Sequence, residues 1–126
     1  MYVYANPNPL RKYTGDCVIR GISILEDMTW DETAMWLSVY MLLIKETPSD
    51  NDTWREFLFS RGYNKYLLPT NCPVCYTLRQ FCEEHPKGRF LACTGSHVIA
   101  VIDGNYYDTW DSGDEIISYY YRKDRN

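Results

Sequence analysis

No apolar run in this chain is long enough to cross a bilayer. The longest, Met35 to Ile44, includes Ser38 and Tyr40 and falls well short of the roughly 20 residues a spanning helix needs. The opening Met1-Tyr2-Val3-Tyr4-Ala5-Asn6-Pro7-Asn8-Pro9 has neither a basic nor an apolar leader region. Both absences lead to the expectation of a cytoplasmic protein with no membrane partner. Basic charge is also sparse. Thirteen Lys and Arg face seventeen Asp and Glu, a net −4, and the only basic clusters are Arg11-Lys12 and Arg122-Lys123 with Arg125. Nonspecific nucleic-acid binding is therefore not expected. The five cysteines are an odd number. Without an export leader they read as reduced thiols rather than a disulfide frame. There is no repeat, low-complexity tract or linker, so residues 1–126 are expected to form one domain, with 1–15 as an extended arm.

What is present suits a packed globule. The chain is 45% hydrophobic, with twelve tyrosines and four tryptophans. From Asp16, a plausible helix N-cap, the pattern turns helical, with Val18, Ile22 and Leu25 on one face. A second helix starts near Asp31, capped by Thr29 or Asp31. Its two stripes (Ala34, Leu37, Met41, Ile44 and Met35, Val39, Leu42) predict burial on most sides. A third runs from Asp52 to Ser60. Tyr63 to Pro69 is a short extended link or strand, and another helix begins near Cys75 and ends at His85-Pro86. Strands follow at 89–94, 97–102, 105–110 and 116–122, with Asp103-Gly104 as a two-residue hairpin turn. Helices first and an antiparallel sheet after them predict an α+β domain.

Chemistry concentrates at two points. Cys17 follows Gly15-Asp16 at the start of a helix, where the dipole favours thiolate. His97 opens an apolar strand far along the chain, positioned to complete a thiolate–imidazolium pair. The Asp103-Gly104 turn pairs Ile102 with Asn105, Val101 with Tyr106 and Ile99 with Asp108. It therefore sets Asp108 diagonally beside His97, within about 5–8 Å between Cβ atoms. A turn one residue longer would bring Asp111 there instead. Either acid would fix the imidazole tautomer. The backbone N–H of Cys17 is the first expected oxyanion donor. Asn8 of the arm is the second, with Asn6 and Tyr13 behind it. Ser96 and Trp110 are expected to line the cleft.

In Gly15-Asp16-Cys17-Val18, Gly95-Ser96-His97-Val98-Ile99-Ala100-Val101 and the acid on the next strand, the chain resembles the papain-like cysteine peptidase superfamily. The order Cys, His, Asp and the helices before an antiparallel sheet are shared. The short His97–Asp108 separation resembles compact bacterial and transglutaminase-like members more than papain itself, and Tyr107-Asp108-Thr109-Trp110-Asp111 is similar to small bacterial and phage proteins. Two departures stand out: Arg11 and Lys12 occupy the region where papain-like enzymes place a Gln, and Val18 replaces the Trp after the Cys. The resemblance implies a hydrolase or acyl transferase acting on an amide, isopeptide or thioester bond of a peptide or protein substrate, without a cofactor. Its rival is a catalytically silent papain-like interaction module of a phage or bacterium.

Cys72-Pro73-Val74-Cys75 admits a third reading, a zinc site completed by Cys82, His85 or Cys93. A thioredoxin-like redox pair is disfavoured, because that fold needs a βαβ start and three predicted helices precede the motif. The blandest reading is a helix start carrying two small apolar side chains.

Overall fold

A computed structural model describes residues 1–69 and 75–126. Among these residues there are four helices: α1 (Cys17–Glu26), α2 (Trp30–Ile44), α3 (Asn51–Ser60) and α4 (Leu78–Glu84). Six strands join them: β1 (Tyr2–Tyr4), β2 (Tyr63–Leu67), β3 (Arg89–Cys93), β4 (Val98–Ile102), β5 (Asn105–Asp108) and β6 (Tyr119–Lys123). The fold is α+β, and its local signals are legible. Thr29 with Glu32, and Thr77 with Gln80, form reciprocal capping boxes on α2 and α4. Asp103 and Gly104 both take positive φ, 50° and 79°, as a tight turn between right-twisted strands requires. The turn pairs Ile102 with Asn105, Val101 with Tyr106 and Ala100 with Tyr107.

The sheet is mixed, not antiparallel as expected, with strand order β1-β5-β4-β3-β6-β2. The expected arm supplies the exception. Tyr2, Val3 and Tyr4 run parallel to Tyr106, Tyr107 and Asp108, and the Met1 amine donates to the Gly104 carbonyl at 3.0 Å. An alternating Tyr-Val-Tyr triplet thus covers the edge that β5 would otherwise expose. The 63–67 segment closes the opposite edge as β2, antiparallel to β6.

Side chains of the central strands alternate between two cores. Leu91, Cys93, Val98 and Ala100 pack with Ile22, Leu25, Trp54 and Phe57 from α1 and α3. Phe90, Ala92, Ile99 and Val101 pack with Leu78, Phe81 and Cys82 from α4. Helix α1 lies close against β3 and β4. A Cβ on Gly21 would come within 2.8 Å of Leu91 Cδ1, so a larger residue there would require the Leu91 side chain to shift; glycine avoids this at a helix-propensity cost of about 1 kcal/mol.

The second helix differs from its expectation. Only Thr33 and Leu37 of α2 are buried, while Met35, Trp36, Val39, Leu42 and Leu43 are exposed. α2 packs against α1 and α3 as the outermost helix, so one of its two apolar stripes has no layer to enter.

Candidate active site

The site forms at one end of the sheet. Here β3 and β5 finish, β4 begins and α1 presents its N-terminus. The Thr94 side chain accepts the backbone N–H groups of Ser96 and His97 at 3.1 and 2.9 Å, and its own N–H donates to the His97 carbonyl at 2.8 Å. This short turn fixes the backbone that carries the imidazole. His97 Nε2 lies 2.7 Å from Asp108 Oδ2. Cys17 borders the same cleft as this ring, and the two groups act on each other's titration. With Nε2 engaged by Asp108, Nδ1 is the nitrogen left for the sulfur.

Asp108 is buried and multiply held. It accepts from Ser112 Oγ at 2.7 Å, from the Thr109 backbone at 2.8 Å and from Arg20 Nη1 at 3.1 Å. Arg20, also buried, donates through Nε to Asp16 at 2.8 Å. Asp16 also accepts from the Trp30 indole at 2.9 Å and the Asn8 amide at 3.3 Å. The groups therefore alternate in charge: Asp16, Arg20, Asp108, His97, Cys17. Each buried carboxylate has a cation beside it, without which burial of the charge would be prohibitive.

Burial alone would raise the Cys17 pKa. His97, the Val98 backbone and the nearby Arg20 charge together bring it below the ordinary thiol value. At Cys82 and Cys93 burial outweighs the groups that oppose it, Arg79 at the first and Tyr119 and Lys65 at the second; it raises Cys82 to about 11 and also raises Cys93. His97 moves the other way. Burial disfavours its cation, yet Asp108 and Cys17 push its pKa up to about 9. A thiol brought down beside an imidazole brought up can hold thiolate and imidazolium together near neutral pH.

A cleft of about 190 Å³ opens over the pair, bordered by Gly15, Cys17, Trp54, Ser96, His97 and Tyr119 among others. Asp16 begins α1 but makes no side-chain cap bond to it, because Arg20, Trp30 and Asn8 take its oxygens. The first-turn N–H groups at Cys17 are thus left uncapped by that carboxylate, and they sit at the positive end of the helix.

The remaining expected residues fall as follows. The Asn8 amide donates to Asp16 and its oxygen accepts the Leu10 N–H at 2.9 Å, so it is occupied within the arm. Asn6 donates to the Lys12 carbonyl at 3.3 Å, and Tyr13 pairs with the Tyr4 hydroxyl at 2.8 Å. Trp110 stacks on the His97 ring, centroids 5.5 Å apart, shielding it from outside. Asp111 accepts from Tyr106 and lies 3.6 Å from Arg79; it is Asp108 that bonds His97. Of the metal candidates, Cys72 lies outside the described residues. Cys75 is exposed, Cys82 is buried, and His85 Nδ1 donates to the Phe81 carbonyl at 2.8 Å. Among the described residues no group of three His, Cys, Asp or Glu side chains is placed to hold a metal ion.

The sequence reading missed Arg20 and Ser112. One signal for Arg20 was available: an Asp16/Arg20 pair at i,i+4 beginning in the turn that carries the thiol. Among the described residues, no helix is long and apolar enough to cross a membrane. Comparison with protein-family models, curated proteins and solved structures finds no match to this chain.

Proposed function

We propose that the protein is a papain-like, cysteine-dependent hydrolase or acyl transferase. It acts on an amide, isopeptide or thioester bond of a peptide or protein substrate through Cys17, His97 and Asp108. The observation that carries this reading is the continuous alternation of charge from Asp16 to Cys17, which ends on a thiol whose pKa is brought down by an imidazole. The Cys17 thiolate attacks the substrate carbonyl carbon, and the carbonyl electron pair moves onto oxygen. The first-turn N–H of Cys17 stabilises that oxyanion. Collapse of the adduct expels the leaving amine or thiol, which takes the proton held on His97 Nδ1, and a thioester on Cys17 remains. Water or an acceptor amine then attacks, gives its proton to His97 and releases the thiolate. Asp108 keeps its negative charge and holds the ring throughout. No step calls for a cofactor.

Selective alkylation tests the reading. Iodoacetamide at about pH 6, where ordinary thiols are almost fully protonated, should label Cys17 far ahead of the other cysteines. His97→Ala should abolish that preference. Slow, even labelling of all the thiols in the wild-type protein would falsify the enzymatic assignment. It would favour the silent module, for which one observation speaks: the Asn8 amide is committed to Asp16 and adds no second oxyanion donor.

A further inference from the structure

We infer that the outer face of α2 is the contact between two copies of this chain, packed antiparallel about Val39. The inference rests on α2 alone and is independent of the thiol site. Met35, Trp36, Val39, Leu42 and Leu43 are 59%, 41%, 38%, 62% and 68% exposed. Their spacing of i, i+1, i+4, i+7 and i+8 puts all five on one side of a helix. Together they expose on the order of 500 Å² per copy, at the upper range of the largest apolar patch on a typical monomer. Two such faces bury about 1,000 Å² from these residues alone, the size at which specific association begins.

The arrangement of the face favours a second copy over other occupants. Val39, the smallest of the five, lies at their centre. A two-fold axis there sets Met35 against Leu43 of the second copy and Trp36 against Leu42, small at the crossing and large on either side. Between Glu32 and Lys45 the helix carries no charged residue, so nothing on the face resists desolvation. Asp31 stands at one end and Lys45 at the other. Antiparallel packing brings Asp31 of each copy toward Lys45 of its mate, and the two helix dipoles oppose. A membrane is the weaker occupant. An interfacial helix takes its hold on anionic lipid from Lys and Arg on its polar face, and Trp30–Ile44 has neither.

Sedimentation of the full chain at tens of micromolar tests this. The wild type should run as a dimer and Val39→Glu as a monomer, with unchanged far-ultraviolet circular dichroism showing that the exposed substitution leaves the fold intact. Asp31→Lys should weaken the dimer severalfold, and adding Lys45→Asp should restore it. A monomeric wild type at the highest concentration overturns the inference, as does a dimer that survives Val39→Glu. An Asp31→Lys dimer of unchanged affinity overturns the antiparallel arrangement. Flotation with phosphatidylcholine–phosphatidylglycerol vesicles, lost in Val39→Glu, would make the face a membrane contact and overturn it too.

Discussion

The two ends of α1 each carry a buried ionic cluster, and they are built for different ends. At the C-terminal end the Glu26 carboxylate accepts from Arg61 at 2.8 Å, Tyr63 at 2.8 Å and Lys123 at 2.8 and 2.9 Å. The bonds hold its pKa down against burial, and the cluster pins α1 to α3, β2 and β6. At the N-terminal end the ladder runs through Asp16, Arg20 and Asp108 but does not close on itself. It continues to an imidazole raised to about 9 and a thiol brought down. The larger cavity, about 460 Å³, lies at the Glu26 end, lined by Arg61, Arg89 and Lys123. The Cys17 cleft is less than half that volume. Cavity size and ion count therefore do not single out the thiol end. What distinguishes the ends is whether the network terminates in a group that can change its bonding near neutral pH.

Arg20→Met is expected to break the comparison most severely. Arg20 and Asp108 are nearly inaccessible, with side chains 10% and 2% exposed, and Asp16 is equally enclosed. Removing the cation strands two buried carboxylates, a change that costs about 3–5 kcal/mol, to be read as a fall in the urea midpoint. Cys17 also loses a positive charge that favours its thiolate, so alkylation at acid pH should slow in whatever protein remains folded. A cost below about 1 kcal/mol would place the pair in the weak class of surface bridges and remove the distinction between the ends.

Asp108→Asn is the next largest. Asp108 raises the His97 pKa, so the variant's imidazole should titrate well below the wild-type value of about 9, near or under the ordinary 6.5. Proton NMR of the ring resonances checks this. The sign follows for stability. A raised folded pKa contributes fully below pH 6.5 and is lost as pH climbs through about 9. The gap between wild type and variant should thus be widest near pH 6 and narrow toward alkaline pH. An unshifted His97 would mean that the 2.7 Å contact does not govern the ring.

How far these features could be read in advance depended on whether they were local. The Asp103-Gly104 turn is a local signal; it sets the β4–β5 register, and the register puts Asp108 against His97. The start of α1 at Cys17 is local in the same way. Arg20 left only an ambiguous signal, because an Asp16/Arg20 pair at i,i+4 looks like any exposed helix bridge until β5 delivers Asp108 to its other side. β1 is three residues long and parallel, too short for alternation to register inside a Pro- and Asn-rich arm. For α2, periodicity reveals two apolar stripes but not whether a layer exists for the second to enter. That is decided by how many elements pack outside the helix, a property of the whole chain.

Glu26→Gln probes the other end of α1, with the smallest effect. Gln keeps the shape and still accepts the Tyr63 hydroxyl, but the charge is gone. Arg61 is 40% exposed and Lys123 20%, so both cations can turn toward water. Their partial solvation keeps the cost to about 1 kcal/mol, well under that of Arg20→Met. Because the carboxyl pKa is depressed from 4.5, its contribution is present above that pH and fades as pH falls. The variant and wild type should therefore converge in acid. Alkylation of Cys17 at about pH 6 should be unchanged, since no member of the Glu26 cluster bonds to the ladder at the far end of the helix. A slowed alkylation would show that α1 transmits charge or position along its length, and the two ends would then be one device rather than two.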